Sequence, residues 1–352
     1  MTFNYLPYIS KHLILVVAYI ALLIGTTACE LENKSQEIRL QGNTMGTQYH
    51  INIPLIPQTI SNKLNQKQLK VEIDRLLQAI NQEMSTYIPD STISQFNRSA
   101  SQDWFAVSNE FLKLINTAQK ISQSSQGAFD ISVMPLVNLW GFGPTKKNNF
   151  PKQTEIEQQL KKVGYQLLKT QQHPAAIQKK IPNLTIDLSA IAKGYAVDKL
   201  AEFLKAKRLQ NFLVEIGGEI RVQGKNKQNK QWKIAIEKPS TLNRTVQQGL
   251  KLDDIAVATS GDYRNYYEKE GIRYSHTINP KTGRPITHKL ASVTVLHQST
   301  MIADAQATAI MVLGEKKGKT YAKKQGLEVY MIFRQKDGFS VWHNLSTERF
   351  IK

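Results

Sequence analysis

The chain has 352 residues, of which 41% are hydrophobic and 21% charged, a composition that suits one large globular domain or two closely packed ones. Its formal net charge of +18 comes from lysines scattered in pairs among Gln and Asn, without a basic stripe interleaved with aromatic residues, so no nucleic-acid partner is expected. Cys29 is the only cysteine, which excludes internal disulfides and thiolate metal centres.

Residues 1–29 have the pattern of an export signal. Lys11 precedes the apolar run "LILVVAYIALLIG", which is followed by "TTAC" ending at Cys29. A run of about 13 apolar residues is too short to span a bilayer and is typical of a signal-peptide core. The lone Cys29 after small residues resembles a bacterial lipobox, although Thr26 stands where Leu is preferred. We therefore predict a lipid-anchored, exported protein; an uncleaved anchor helix and a non-lipid signal peptide are the alternatives.

Residues 30–43 are polar and predict a tether that holds a domain of residues 44–352 off the membrane. "YHINIPL" (49–55) alternates like a strand, and the apolar spacing over 69–80 predicts a helix. A second helical pattern stops at Gly127, a plausible C-cap, and a lysine-rich stretch with helical spacing covers 155–169.

The rest of the chain alternates irregularly between strand and helix patterns. "LTIDL", "FLVEI", "EIRVQ", "QWKIAIEKP", "IAVATSG", "IRYSHTI", "ASVTVLH", "LEVYMIF" and "FSVWH" read as strands, while "GYAVDKLAEFLKAK" and "ADAQATAIMVLG" read as helices. There is no regular βαβ rhythm. We predict an α+β fold, a single large domain of mixed sheets and packed helices, with two intimately associated subdomains as the alternative.

Several familiar catalytic and nucleotide-binding motifs are missing. "GEKKGKT" (314–320) has three residues between its first Gly and the Gly-Lys pair, where a P-loop needs four, so we interpret it as a solvated turn between helices. The sequence has no G-x-G-x-x-G after a strand, no G-x-S-x-G and no H-E-x-x-H, which disfavours Rossmann, α/β-hydrolase and zincin chemistry.

Two segments place polar residues where a core is expected. In "GAFDISVMPLVNLWGFGP", Asp130 is either a turn cap or a ligand contact. In "IDLSAIAKGYAVDKL", a strand delivers Asp187, and a loop of small residues leads into a helix near Gly194. Unpaired N–H groups at a helix start attract anions, and Lys193 adds a full charge. The alternative is an N-cap with an exposed lysine.

Two later segments carry candidate catalytic and metal-binding groups. "TSGDYRNYY" to "YSHTINPKTGRPI" predicts a strand pair with Asp262, Arg264 and His276 along it, and His276 is either structural or catalytic. In "ADAQATAIMVLG", Asp304 and Thr308 lie four residues apart, so a helix places both on one face. Their hard oxygen donors suit Mg²⁺, and a capping Asp with an incidental Thr is the alternative.

In this order, these segments resemble the ApbE family of FAD:protein FMN transferases. The resemblance rests on "TMGTQYHI", "MSTYIPDSTISQFN", "GAFDISVMPLVNLWGFG", "IDLSAIAKGYAVDKL", "VEIGGEI", "TSGDYRNYY", "YSHTINPKTGRPI" and "ADAQATA", which together cover residues 44–314. Ordered motifs over that length are far more specific than any one alone.

The resemblance implies that the protein binds Mg²⁺ and the substrate FAD, and moves FMN onto a Thr or Ser hydroxyl of a partner protein with release of AMP. It assigns FAD contacts to Met45, Tyr87, Ala128, Phe129, Asp130, Asp187, Lys193 and Ile278. It assigns the metal to Asp304, Thr308 and the backbone carbonyl of Ala190, which stands at the family's metal position in the "DLS" loop.

The family likeness leaves several roles open. His276 is the candidate general base because an imidazole titrates near neutrality; it could equally orient the metal or the pyrophosphate. Two rival functions remain: an FAD pyrophosphatase that yields FMN and AMP, and a non-catalytic FAD-binding lipoprotein. By family analogy, we expect the acceptor to be a membrane redox subunit and the protein to face the periplasm from a lipid anchor on the inner or outer membrane.

Overall fold

The computed structural model describes residues 36–56, 60, 64–144, 150–239, 245–263, 266–269 and 272–351. The predicted export signal and Cys29 lie outside these residues. The strands are β1 (Gln36–Thr44), β2 (Thr47–Ile56), β3 (Phe105–Ala106), β4 (Leu168–Gln171), β5 (Ala176–Lys179), β6 (Phe212–Ile216), β7 (Glu219–Gln223), β8 (Trp232–Glu237), β9 (Val246–Leu252), β10 (Ala256–Gly261), β11 (Tyr266–Lys269), β12 (Ile272–Ser275), β13 (Ile278–Asn279), β14 (Arg284–Pro285), β15 (Leu290–His297), β16 (Glu328–Gln335) and β17 (Gly338–His343).

The α-helices are α1 (Gln66–Met84), α2 (Thr92–Arg98), α3 (Asn109–Ser124), α4 (Met134–Leu139), α5 (Gln153–Leu160), α6 (Ala192–Ala206) and α7 (Thr300–Lys324). Short 3₁₀ turns occur at Ile131–Val133, Tyr165–Leu167 and Thr347–Arg349. In the described part of the chain, no helix is both long enough and apolar enough to cross a membrane.

One large sheet organises the molecule. In the described residues it has eight strands in the order β1-β2-β6-β7-β10-β15-β16-β17, and each neighbouring pair is antiparallel. The smaller pairs β8–β9, β11–β12 and β13–β14 and the β3-β5-β4 sheet are antiparallel as well. The predicted α+β fold, a single large domain, is confirmed.

The two faces of the large sheet are covered differently. Alternation along β16 sends Val329 and Met331 to the main core, with the helices, and Tyr330 and Ile332 to a second core. That second core is closed by the β8–β9 hairpin through residues such as Ile234. The sheet is therefore sandwiched between a helical layer and a hairpin.

The helices α6 and α7 are fixed to each other by polar contacts. Asp198 of α6 accepts the backbone N–H of Thr300 at 2.8 Å and that of Met301 at 3.0 Å, while Ser299, the N-cap of α7, donates its hydroxyl to Asp198 at 2.6 Å. These bonds satisfy N–H groups that a helix start leaves without intrahelical partners. They fix where the polar residues of both helices lie.

Several local predictions were wrong. The tether predicted at 30–43 is too long, because β1 begins at Gln36 and pairs along β2. The helix predicted over 155–169 ends at Leu160, after which Gly164, with a φ of 159°, leads into a 3₁₀ turn and β4. The "LTIDL" segment forms no ladder in the described structure, although Asp187 N–H donates to the Ile131 carbonyl at 2.7 Å.

Two further segments differ from expectation. "GEKKGKT" is not a solvated turn: only Gly314 (φ 72°, ψ −166°), which is buried, separates two helical segments of α7, and residues 315–320 belong to the second segment. The predicted strand pair is the hairpin β11–β12, but Asp262 and His276 lie just outside it, and Arg264 is outside the described residues. Asp262 is buried and paired in a fork with Arg334.

Candidate functional site

The main cavity lies beside the short ladder between β7 and β10. β7 and β10 pair over only two positions, Ala256 with Arg221 and Val257 with Ile220, whereas β10 pairs with β15 along its whole length. β7 begins at Glu219, just beyond these positions, whereas β10 continues to Gly261. A cavity of about 2050 Å³ is lined by residues of both strands, with α6 and α7 contributing to its walls.

The cavity collects the residues predicted from sequence. The residues that the family likeness assigned line it together with His276, whereas Asp262 does not: Met45, Tyr87, Ala128, Phe129, Asp130, Asp187, Ala190, Lys193, His276, Ile278, Asp304 and Thr308. These residues are spread over more than 260 positions of sequence, as the span from Met45 to Thr308 shows. The fold therefore places the flavin, metal and catalytic candidates around one space.

A buried charge cluster occupies one wall of the cavity. The Lys193 ammonium lies 2.7 Å from Glu219 Oε1, and Glu219 is only 2% exposed. Burial opposes the charge on Lys193, but the nearby Asp304 and Glu219 outweigh it and raise the Lys193 pKa. Burial raises the pKa of Asp304, which Lys193 opposes. The predicted exposed-lysine alternative is therefore wrong.

Gly194 joins this cluster to the start of α6. Its N–H donates to Asp304 Oδ2 at 3.1 Å, and no backbone hydrogen bond to the Ala190 carbonyl is found among the described residues. A Cβ at position 194 would lie 2.4 Å from the carbonyl oxygen of Thr300. Only glycine permits this approach of α6 to α7. Because the Gly194 N–H donates to Asp304, the Ala190 carbonyl is left available to a ligand.

Hydroxyl groups complete the oxygen donors near Asp304. Thr308, one turn further along α7, has its Oγ1 3.1 Å from the Ser260 hydroxyl of β10. Within the described residues, Asp304 Oδ1 makes no hydrogen bond, and no group of three or more His, Cys, Asp or Glu residues forms a metal centre. One carboxylate, a hydroxyl and a free carbonyl fit Mg²⁺, which commonly keeps waters and takes substrate phosphates as further ligands.

The two other candidate aspartates shape the cavity wall with their own hydrogen bonds. Asp130 caps the turn Ile131–Val133: Oδ1 accepts the Ser132 N–H at 2.8 Å, and Oδ2 accepts the Tyr165 N–H at 2.8 Å. Asp187 accepts the Ser189 N–H at 2.9 Å and its hydroxyl at 3.1 Å. For Asp130, the structure shows the cap that sequence reasoning left open.

Apolar and aromatic groups line the rest of the cavity. Tyr87 is 69% exposed, so its ring is accessible to a planar ligand. Met45 sits in the two-residue turn between β1 and β2 with a φ of 49°, followed by Gly46 at 71°. Phe129 and Ile278 are buried beneath the surface of the cavity. His276 follows β12 and meets the ring of Phe142 edge-on, with centroids 6.3 Å apart.

Sequence reasoning missed three residues of this site. Glu219 stood inside the quoted motif "VEIGGEI", but strand alternation gives no signal that it pairs with Lys193. Ser260 and Gly194 are small residues whose importance depends on α7, which is distant in sequence. The signal that was available for Gly194 was the density of small residues before α6.

Comparison with known proteins agrees with the geometry. The sequence profile described as "ApbE family" matches residues 45–331, which include every site residue above. The chain belongs to the ApbE family. A similar protein from Vibrio cholerae, named FAD:protein FMN transferase, is 42% identical over 342 residues, covering 97% of this chain and 99% of the relative. A relative of the same name from Escherichia coli K12 is 40% identical, covering 89% of this chain and 88% of its own length.

Solved structures of ApbE proteins share the fold. The flavin transferase ApbE from Vibrio cholerae gives a TM-score of 0.81 at 43% identity, covering 89% of this chain and 98% of that structure. The flavinyl transferase ApbE from Pseudomonas stutzeri, in its apo form, gives a TM-score of 0.80 at 35% identity, with coverages of 88% and 95%. The ApbE fold thus extends over nearly the whole described chain.

Proposed function

We propose that this ApbE protein transfers the FMN half of FAD to a Ser or Thr hydroxyl of an acceptor protein, with Mg²⁺ and release of AMP. The names of its relatives, FAD:protein FMN transferases, support FMN transfer from FAD to a protein. The proposal rests on one observation: Asp304, Thr308 and the free Ala190 carbonyl lie in one cavity with the Lys193 ammonium.

The chain's own residues can bind the two ends of FAD. Tyr87 offers an exposed ring for the flat, largely apolar isoalloxazine, and Met45 and Ile278 add apolar contacts. Ala128, Phe129 and Asp130 line the cavity with the Asp187 turn, and the two carboxylates give it polar groups for the ribityl and nucleotide parts. Lys193 supplies a cation for the pyrophosphate.

The proposed reaction is a displacement at phosphorus. The acceptor oxygen bonds to the phosphorus of the FMN half, the bond from that phosphorus to the bridging oxygen breaks, and AMP leaves with the bridging oxygen. His276, which lines the cavity, takes the hydroxyl proton. Asp304, Thr308 and the Ala190 carbonyl would hold Mg²⁺, which supplies positive charge to the pyrophosphate.

The sequence before the described domain supports a cellular location for the protein. The lipobox-like end at Cys29 supports a protein that is exported and lipid-anchored, facing the periplasm. An acceptor in the same compartment, such as a membrane redox subunit, would then be within reach. The net charge of +18 supports electrostatic docking of such an acceptor, which predicts slower transfer as ionic strength rises.

The test uses variants of Asp304 and Thr308 that remove a metal-binding oxygen while keeping the size of the side chain similar. The protein is incubated with FAD, Mg²⁺ and an acceptor domain, and the acceptor is followed by intact mass. Wild-type protein and Thr308→Ser should add one FMN, while Asp304→Asn and Thr308→Val should lose most of the transfer and bind Mg²⁺ at least tenfold more weakly in calorimetry. Transfer that persists at wild-type rates in chelator, or in Asp304→Asn, would overturn the proposed metal site.

A further inference from the structure

The hairpin strand β8 has one edge without a strand partner in the described chain. It pairs with β9 alone, and the Gly249 carbonyl of β9 points away from β8, because it accepts the N–H of Ile351 at 2.9 Å. Gly249 is opposite Ala235, so this is a non-hydrogen-bonded pair. The N–H and C=O of Ala235 therefore point outward, along with those of Lys233 two residues earlier.

This outward edge borders the cavity. Four consecutive residues, Ile234, Ala235, Ile236 and Glu237, all line the cavity, although side chains in a strand alternate between its two faces. Ile234 and Ile236 belong to the second core, and Ala235 is exposed on the opposite face. A space that touches both faces of a strand runs along its edge. The backbone of Ala235 is thus available from the cavity.

The cavity is larger than a small-molecule site requires. Ligand pockets typically enclose about 300–1,000 Å³. This cavity encloses about 2050 Å³ and includes both the Asp304 wall and the β8 edge. Bound FAD would leave room for a second occupant beside β8.

The charge next to the edge indicates the chemistry of that occupant. Lys233 lies directly opposite Lys251 on the hairpin, and no ion pair with a carboxylate is found for either lysine among the described residues. Like charges in opposed positions repel each other, and an acidic side chain on an added strand would relieve this. A segment with a carboxylate beside Lys233 is therefore favoured over a basic one.

We propose that the acceptor protein binds as an extended segment that adds to the free edge of β8, with an acidic side chain near Lys233 and its Ser or Thr hydroxyl directed into the cavity. Strand addition supplies main-chain hydrogen bonds whatever the side chains, while flanking positions select the sequence. This inference rests on the proposed FMN transfer.

The first test removes the outward N–H alone. Ala235→Pro deletes a donor that β9 does not use, and proline is tolerated at such edge positions. The matched control, Ala235→Val, adds bulk but keeps the N–H and suits a strand. With an acceptor domain that the full-length wild-type protein labels, the KM for acceptor should rise at least tenfold in Ala235→Pro relative to Ala235→Val, with similar FAD affinity in both. Equal KM values would overturn the inference.

A second measurement needs no variant. Amide hydrogen exchange of the full-length protein with FAD and the acceptor domain should show new protection at Lys233 and Ala235, while Ile234 and Ile236 are already protected by β9. Labelling without protection at these amides would overturn strand addition and leave FMN transfer standing. If the wild-type protein adds no FMN to any acceptor, the proposed function itself fails, and this inference with it.

Discussion

The Lys193 ammonium lies 2.7 Å from Glu219 Oε1, while Glu219 Oε2 is buried without a hydrogen-bond partner among the described residues. The Glu219 carboxylate therefore balances the charge of Lys193 in the cavity wall through one oxygen, and its other oxygen has no protein partner among the described residues. A buried charge that loses its partner is costly, so this pair should matter to stability as well as to ligand binding.

Replacing Glu219 by Gln keeps the shape and removes the charge. We expect the free energy of unfolding to fall by about 2 kcal/mol, because Lys193 loses its nearest anion. Urea denaturation measures this change. Glu202→Gln is the control, since that carboxylate pairs with Lys199 at an exposed site and should change stability by less than about 0.5 kcal/mol. If the two variants behave alike, the Lys193–Glu219 pair is not stabilising.

Gly194→Ala tests the close approach of α6 to α7. The new Cβ would meet the backbone of Thr300, so the helices must separate, at a cost of about 1–3 kcal/mol, and Asp304 must shift. We expect weaker Mg²⁺ binding in calorimetry. Gly326→Ala is the control: it strains a left-handed residue (φ 64°), but the added methyl has open space around it. It should lower stability yet leave Mg²⁺ binding intact; a similar Mg²⁺ loss in both variants would argue against a local effect.

We predict that Met45 lowers the stability of the fold and strengthens FAD binding. Its left-handed φ of 49° before Gly46 suits an Asn-Gly type I′ turn better than Met. Met45→Asn should therefore raise the free energy of unfolding by about 1 kcal/mol and weaken FAD binding several-fold. Met45→Leu keeps the apolar volume and should retain FAD affinity. Flavin fluorescence titration decides between them, and unchanged FAD affinity in Met45→Asn would remove Met45 from the site.

The buried Lys179 should make stability depend on alkaline pH. It donates to the Ser99 carbonyl at 2.5 Å and sits 4.7 Å from the Phe96 ring centroid, and burial lowers its pKa to about 8. Because the unfolded chain holds this proton more tightly, the lysine's contribution to stability should rise with pH between about 8 and about 10. Unfolding free energies of wild type relative to Lys179→Met should follow that rise. A constant difference across this range would contradict the shifted pKa.

Local sequence patterns predicted the long helices α1, α3 and α6, the first half of α7, and every strand of the large sheet except β1. The four-residue spacing of Asp304 and Thr308 correctly placed both on one helix facing the cavity, and small residues before α6 marked its polar start. These features depend on neighbours along the chain. The α+β class followed from the irregular order of the patterns.

The features that sequence did not reveal are non-local. The place of the cavity depends on how few residues of β7 pair with β10, and strand alternation alone cannot show it. The same holds for Glu219, whose pairing with Lys193 requires β7 to lie against α6. The extent of the turn at "GEKKGKT" was misjudged because a second helical segment begins directly after the single non-helical residue Gly314.

Transfer to a protein and hydrolysis by water differ in where the FMN goes. The most direct test measures, in one time course, the AMP released and the FMN added to an acceptor domain by the full-length protein with FAD and Mg²⁺. We predict about one AMP for each FMN on the acceptor at all times, with both products absent in Asp304→Asn. AMP accumulating with free FMN, and no mass added to the acceptor, would contradict transfer and indicate an FAD pyrophosphatase.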